Sequence, residues 1–488
     1  MNDDQAYDAV CQLLQVHARD FHIYRDIDVA VSTPKDDALR KAYDIEFGSA
    51  HENRQLAIAR QSFTPLLRLM LNTYSQSLKV DNYFQSEENS EGRTQSAAWQ
   101  HWQRNRMDAR QTGINHAALK YGKAYASVLP SNLGAPTGFG GTAPRLSVID
   151  TFNPKRMTAL YSGAWDFEEY PVLALQHVPD GFRLFDEKNV YYFGVESAPR
   201  SAEQWLSRQF LNRDNFELKE TKAHNIGVVP IVRYRDQWLT QGEESNGIVE
   251  PLIEMANRIN LNNFQEGVSR HWAAFKQRYV AGWVPEDELE ALKQTAAELW
   301  WFESNEIKVG QFDETDLSQY TGSRQFMEQS FAAAGQLSAT TLGASSISNV
   351  SAEGLAALER AKEGHTSEVQ TALGESYEQM FRLCSHVAGE SEASSDFGAE
   401  VHWKDTSAKT LAQTVDALGK IATQLGVPVQ ELWSDIPGWT SQRVDRAKEA
   451  FDSNAIFSEM GDFASASAGI DGASLDDVSV DDVVGAGV

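Results

Sequence analysis

Two long helical stretches separated by a segment of about 40 residues constrain this chain more than any other feature. From about 246 to 275, Leu252, Met255, Ile259, Phe264, Val268 and Trp272 form one apolar stripe at helical spacing, with Pro251 in the opening turn, where a missing N–H is tolerated. The next stretch, FKQRYVAGWV, reads as a strand. Pro285 to about Leu299 reads as a helix that opens with three acids, which suits its dipole, and WWFESNEIKVGQF as one or two strands. A second long helix spans about Thr315 to Leu337. The predicted order is therefore helix, β-α-β insert, helix.

The downstream segments are equally specific in their order. SATTLGASSISNVSAEG is small, polar and uncharged until Glu353, the composition of a flexible loop, with Ser351 placed as an N-cap. A very long helix then runs to about Gly389, striped by Leu355, Leu358, Val369, Leu373, Tyr377, Met380, Phe381, Cys384 and Val387. GAEVHWKD reads as a short strand. Thr406 or Ser407 caps a further helix bearing Leu411, Val415, Leu418, Ile421 and Leu425, which Gly426 and Pro428 stop. Shorter helices are expected near Val429–Trp433 and from Ser441 to Phe451. The Ala-, Ser-, Gly- and Asp-rich tail has too little apolar content to pack and is expected to be disordered.

The N-terminal half changes character once. Up to about residue 125 it reads as helical: Val10, Leu13, Leu14, His17, Phe21 and Tyr24 share a face, as do Leu56, Ala59, Phe63, Leu67, Met70 and Tyr74, with Pro65 expected to kink that helix. A third helix is expected from about Ser96 to Tyr121, carrying Trp99, Trp102, Met107, Ile114 and Leu119, with Gly122 at its C-cap. From about 124 to 235 the pattern is strands: AYASVLP, RLSVID, YPVLALQHV, FRLF, VYYFGV and VVPIVRY. Asp180-Gly181 marks a turn, Glu187-Lys188-Asn189 a hairpin loop, and SNLGAPTGFGGTAP a mobile surface loop. The fold class is α+β.

Charge narrows the function. With 43 basic and 69 acidic residues the formal charge is −26. A protein that grips phosphates draws its affinity from counterion release by Lys and Arg, so this chain is expected to bind DNA weakly or not at all. That argues against a sequence-reading regulator and most nucleases, but not against a conduit, whose walls must not hold what passes. The two cysteines, Cys11 and Cys384, allow neither a disulfide framework nor a four-thiolate zinc site, and both read as small buried hydrophobes. The acidic start MNDDQAYDAV lacks a signal-peptide pattern, and no apolar run approaches the ~18 residues of a membrane helix, so a soluble, cytoplasmically made protein is expected.

Motifs that carry chemistry are missing. No G-x-x-x-x-G-K-[ST] occurs: the Gly134–Gly141 stretch has no following Lys-Ser or Lys-Thr, and no glycine stands five residues before Gly122-Lys123. His51-Glu52 begins like a zinc-protease helix, but position 55 is Gln. Asp26-Ile27-Asp28 and the tail acids Asp471, Asp476, Asp477, Asp481 and Asp482 lack calcium-loop spacing. There is no G-x-S-x-G elbow, and neither cysteine sits in a basic setting that would lower its pKa. No catalytic residue, metal or cofactor is expected. The pairs Trp99/Trp102 and Trp300/Trp301 have few flanking cations, so they read as core or subunit-interface packing rather than a base-stacking platform. Trp300 and Trp301 are adjacent, and on a strand they would face opposite sides, leaving one for a subunit contact.

Taken in order, these elements resemble the portal proteins of tailed phages, particularly those with actinobacterial hosts. ALKYGKAYASV, HNIGVVPIVRY, the stretch 242–260 with Ser245 and Pro251, SNVSAEGLAALE and VHWKDTSAKTLAQTVDALGKIATQLGVPVQELW each resemble a family segment, and the likeness covers roughly residues 5–450. The resemblance implies an α/β wing (1–245), a first stem helix (246–273), a β-α-β clip (274–313) and a second stem helix (314–337). A tunnel loop (338–350), a long kinked tunnel helix with a returning wing strand (351–405), a helical crown (406–455) and an acidic tail (456–488) complete the map.

The resemblance also implies a virion protein: a ring, usually of twelve copies, at one capsid vertex. Double-stranded DNA passes through it, the terminase motor and later a head–tail adaptor dock on the clip, and capsid and scaffold proteins touch the wing. It implies a clip docking and subunit interface at Lys276, Arg278, Trp283, Trp300 and Trp301, and a DNA-facing loop at Thr340, Thr341, Ser345, Ser346 and Asn349. That loop has no Lys or Arg, a departure from portals that place a cation there. Two other readings compete: a packaging ATPase or nuclease, which the missing Walker A opposes, and an unrelated multidomain binding protein, which leaves the insert between two long helices unexplained.

Overall fold

The computed structural model describes residues 1–48, 51–86, 97–131, 147–162, 170–195, 213–240, 243–273, 278–281, 308–311, 317–338, 341, 352–404, 411–436, 438–439, 443–444, 446–451 and 453. The chain divides into two compact units, one of residues 1–83 with 97–404, the other of 84–96 with 405–488.

The first unit opens with α1 (Asp3–Val31), capped by Asn2 and Gln5, each side chain bonded to the other's amide. Its apolar stripe is buried as the spacing predicts, from Val10 through Tyr24 to Ile27. Then come α2 (Asp36–Tyr43), α3 (Glu52–Ser62) and α4 (Leu66–Ser77). The helix expected to kink at Pro65 is in fact broken there into α3 and α4: the ring excludes the α region for the residue before it as well as removing a donor.

After β1 (Val80–Phe84), the single helix expected from about 96 to 121 is also two, α5 (Ala97–Arg104) and α6 (Met107–Tyr121), separated where Arg106 takes a left-handed conformation, φ 55°. Gly122 terminates α6 at φ 78°, as expected of a C-cap.

Two antiparallel sheets follow. One has the order β3-β2-β9, from β2 (Lys123–Pro130), β3 (Ser147–Phe152) and β9 (Ile231–Arg235). The other runs β4-β5-β6-β7-β8, from β4 (Met157–Leu160), β5 (Leu173–Val178), β6 (Gly181–Phe185), β7 (Asn189–Val195) and β8 (Phe216–Ala223). Every strand predicted in this region is present, and the 180–181 and 187–189 turns fall between β5, β6 and β7. Strand β4 was not expected, and neither was β8. Its FELKETKA sequence has almost no apolar run because it is an edge strand with one side in solvent, and charges there block pairing with another chain.

A 3-10 turn (Glu250–Leu252) then leads into α7 (Ile253–Ala273). Strands β10 (Arg278–Ala281) and β11 (Lys308–Gln311) pair antiparallel, Ala281 opposite Lys308. Helices α8 (Ser318–Ala334) and α9 (Ala352–Ala388), the short α10 (Ser391–Ser394) and β12 (Glu400–Trp403), hydrogen-bonded to β1, complete the unit.

The main core joins α4, α5, α6, α7, α8 and α9 to the β3-β2-β9 sheet. At its centre Trp99 and Trp102 stack at 5.1 Å and lie against Phe381, with Tyr377 edge-on to Trp102, so this tryptophan pair is core packing. Tyr377 also donates to Asn115, which reaches back to the Leu78 carbonyl, so the buried polar atoms are answered. Cys384 is fully buried in this core and Cys11 partly, against the second core between α1 and the five-stranded sheet.

In the second unit, α11 (Leu411–Lys420) continues into a π turn (Ile421–Leu425) that ends at Gly426, φ 71°. A 3-10 turn, Glu431–Asp435, follows. Trp433 contacts Trp439 and Phe451, with Arg443 over the Trp439 ring.

Candidate functional site

Of the loop residues expected to face DNA, only Thr341 is described; it is half-buried, and its amide donates to the Ser338 carbonyl at 3.0 Å. Thr340, Ser345, Ser346 and Asn349 lie outside the described residues. Arg278 is the first residue of β10, opposite Gln311. Lys276, Trp283, Trp300 and Trp301 lie outside, as do the insert's helix, the glycine-rich loop, the Ser351, Thr406 and Ser407 caps and the tail.

The described structure does show how the 338–350 loop is rooted. Gly335 ends α8, and Gln336 turns left-handed at φ 53°. The Leu337 amide then bonds back to Ala332 at 2.8 Å, and Leu337 and Ser338 are buried. The Tyr74 hydroxyl, from α4, points at the Gly335 and Gln336 carbonyls, 2.9 and 3.0 Å away. One proton serves both, and burial raises the phenol's pKa, so it remains a donor. A β-carbon on Gly335 would stand 3.1 Å from Met70 Sδ and 3.3 Å from Leu252 Cδ1. Helix α9 adds His365, edge-on to the Tyr74 ring at 5.0 Å. Helices α4, α8 and α9 and the 3-10 turn before α7 thus converge at the end of α8. The sequence offered Tyr74 only as a stripe residue; its partners are more than 260 positions away.

Of the two helices beside this root, α8 is electrically quiet. Helices α7 and α8 pack together, Asn262 reaching the Tyr320 carbonyl and Ser269 the Tyr320 hydroxyl. Arg324 and Glu328, on α8, pair with each other at 3.8 Å. Its exposed face carries Gln319, Gly322, Ser323, Phe326, Gln329 and Ala333, with no charge. In a chain of net charge −26, such a face neither attracts nor strongly repels phosphate.

A second junction ties the lead-in of α7 to the sheet, and it unites two segments that the sequence singled out, YGK and the stretch with Ser245. Gly122 and Gly247 cross in backbone contact: a β-carbon on Gly122 would lie 2.0 Å from the Ser245 carbonyl oxygen, and one on Gly247 2.5 Å from that of Leu119. The Ile248 amide donates to Leu119 at 2.9 Å. Ser245 accepts from the Gly247 amide and donates to Asp236 Oδ2 at 2.9 Å. The third singled-out segment forms the β8–β9 connection: His224 bonds the Asp186 carbonyl, Asn225 and Gly227 take positive φ, and His386 of α9 holds the Ile226 carbonyl.

Chemistry has little purchase on these arrangements. Ser147 Oγ lies 2.9 Å from His101 Nδ1, and His101 Nε2 lies 3.8 Å from Glu390. That resembles a nucleophile–base–acid series, but Ser147 and His101 are buried, leaving no face for a substrate. Burial pushes the Cys384 thiol up to about 12, keeping it inert. Among the described residues no three His, Cys, Asp or Glu side chains gather as metal ligands, and no helix is long and apolar enough to cross a membrane.

Comparison with known proteins supplies what the site's chemistry does not. The family model of phage portal proteins, SPP1 Gp6-like, matches residues 37–455. The chain belongs to that family, and the α+β architecture is a portal fold. Among solved structures, it is similar to a chain in the neck of an empty GTA particle computed with C6 symmetry (13% identity, 79% of this chain and 93% of that one, TM-score 0.43). It is also similar to one in the virion of a native gene transfer agent (GTA) particle (13%, 78% and 91%, 0.39) and one in the neck of a native GTA particle computed with C12 symmetry (11%, 78% and 93%, 0.42). No curated protein sequence matches.

Proposed function

We propose that this chain is the subunit of a ring at one capsid vertex, a passive channel through which double-stranded DNA is packaged and ejected. The observation that carries the reading is the family match across residues 37–455. In this reading 1–245 is the wing, and α7 and α8 are the stem on either side of a clip at 274–313. The root pinned by Tyr74 carries the tunnel loop, α9 is the tunnel helix, and 406–455 is the crown. The uncharged face of α8 and the loop without Lys or Arg suit walls that guide DNA without holding it, since few counterions are released on contact. ATP is hydrolysed by a separate terminase that docks on the clip and gives way to a head–tail adaptor; capsid and scaffold contact the wing. Copy number is proposed as twelve.

Negative-stain microscopy of the purified protein is expected to show rings with a central hole. Monomers at high concentration under every salt condition would overturn the reading. Removing about residues 284–308 is expected to leave rings intact and abolish motor docking. Undiminished packaging by that deletion would show that the clip lies elsewhere.

A further inference from the structure

The Gly122–Gly247 crossing contains a group that tertiary packing leaves poorly served. Asp236 follows β9 directly and is completely buried. Its amide reaches the Gly122 carbonyl at 3.4 Å and its Oδ2 accepts from Ser245, but its Oδ1 has no hydrogen-bond partner. A buried carboxylate with one bare oxygen costs far more than the neutral acid in the same place.

Among the described residues no cation offsets that cost. The ionisable groups on the elements packed against β9 are engaged elsewhere. Lys120 of α6 is held by Asp28, and Lys123 of β2 by Glu244 and Asp20. On β9 itself, Arg233 pairs with Glu244 and covers the Tyr161 ring, and Arg235 stacks on Trp238. Burial lowers the His116 imidazole of α6 below its ordinary value; on α9 stand Glu375, Glu378, which accepts from the Val401 amide, and Arg382, which lies over the Phe397 ring. The lead-in to α7 adds Glu243, bonded to Thr240, and Glu250.

We propose that Asp236 is a proton-operated lock on the attachment of α7 to the β3-β2-β9 sheet: protonated, it holds the glycine crossing shut, and ionised, it loosens it. Two features make the crossing the part that responds. Ser245 bonds Asp236 and the Gly247 amide with the same hydroxyl, so a change at the carboxyl passes directly to the crossing strand. The crossing itself depends on backbone contacts that tolerate no added atom. Burial pushes the Asp236 carboxyl up to about 7, while the hydrogen bond from the Ser245 hydroxyl pulls it partly back. The lock therefore works near neutral pH, and it does so whether or not the chain forms a ring.

Hydrogen exchange of the full-length protein tests this, read on peptides covering 245–252 from pH 5 to 8.5 with intrinsic exchange rates divided out. Opening exposes Asp236 to water, where its pKa returns to about 4. The opening equilibrium of the Ile248 amide is then expected to rise several tens of fold between about pH 5 and 7 and level off above. The Asp236→Asn variant, an isostere of the neutral acid, is expected to show no such rise. A flat wild-type profile would overturn the proposal without recourse to any variant; so would an Asp236→Asn profile that keeps the wild-type slope.

Discussion

Gly122→Ala is expected to destabilise the first unit by on the order of 4 kcal/mol, a large share of a typical domain's margin. Two costs combine. At φ 78° an L side chain meets its own backbone, about 1–2 kcal/mol. The β-carbon would also stand 2.0 Å from the Ser245 carbonyl oxygen, so the two chain segments must part and the Ile248–Leu119 bond goes with them. Gly227→Ala supplies the internal control, because Gly227 has φ 91° but open space around its missing β-carbon. It should cost only the conformational term. Denaturant midpoints of the two variants separate the contributions. Equal midpoints would mean that the crossing relaxes at no cost and is not a structural clasp.

Acid is expected to weaken the packing of α1 on the five-stranded sheet, beginning below about pH 6.5. His17 of α1, buried, and His177 of β5, half-buried, lie with ring centroids 4.1 Å apart and planes tilted by 34°, and His17 Nδ1 is bonded to Thr158. Burial lowers the His17 imidazole to about 4 and, joined by the charge His17 would carry, lowers that of His177 well below its ordinary value. The sign follows from linkage. The unfolded chain takes up protons near pH 6.5 and the folded one does not, so stability is complete above 6.5 and is lost as pH falls toward 4. For His17 alone the shift corresponds to ~3 kcal/mol. His17→Gln retains a polar partner for Thr158 without a titrating ring, and should flatten the dependence of the denaturant midpoint on pH between 6.5 and 4. An unchanged slope in that variant would assign the acid sensitivity to other groups.

What could be read from the sequence was whatever repeats locally. The 3.6-residue stripes of α1, α7 and α9 and the short β-branched runs of β2, β5, β6 and β7 sit where periodicity put them, because each turns apolar residues inward, such as Val10 to Ile27 on α1, Ile259 on α7 and Val369 to Cys384 on α9. Two helices came out broken: Pro65 interrupts rather than bends, and Arg106 takes a left-handed turn that no neighbouring residue announces. Strand β8 was invisible because an edge strand with one wet side needs few apolar residues. The candidate site was legible as an order of elements, but not as contacts. Gly122 announced a helix cap, while its crossing with Gly247 depends on residues more than a hundred positions apart. Likewise the Tyr74 hydroxyl gains its meaning only when α8 arrives beside it.

The pairing of Ala281 with Lys308 has an evolutionary corollary. Partner residues in an antiparallel ladder have Cα atoms about 5 Å apart, so the chain that ends β10 at Ala281 begins β11 at Lys308 at nearly the same point. Any peptide that closes a gap of that size can be spliced in without disturbing α7 or α8, and the entropic cost of a longer one grows only logarithmically. The position is thus tolerant of exchange: a lineage could replace the intervening sequence by recombination while the rest of the molecule stayed under separate selection.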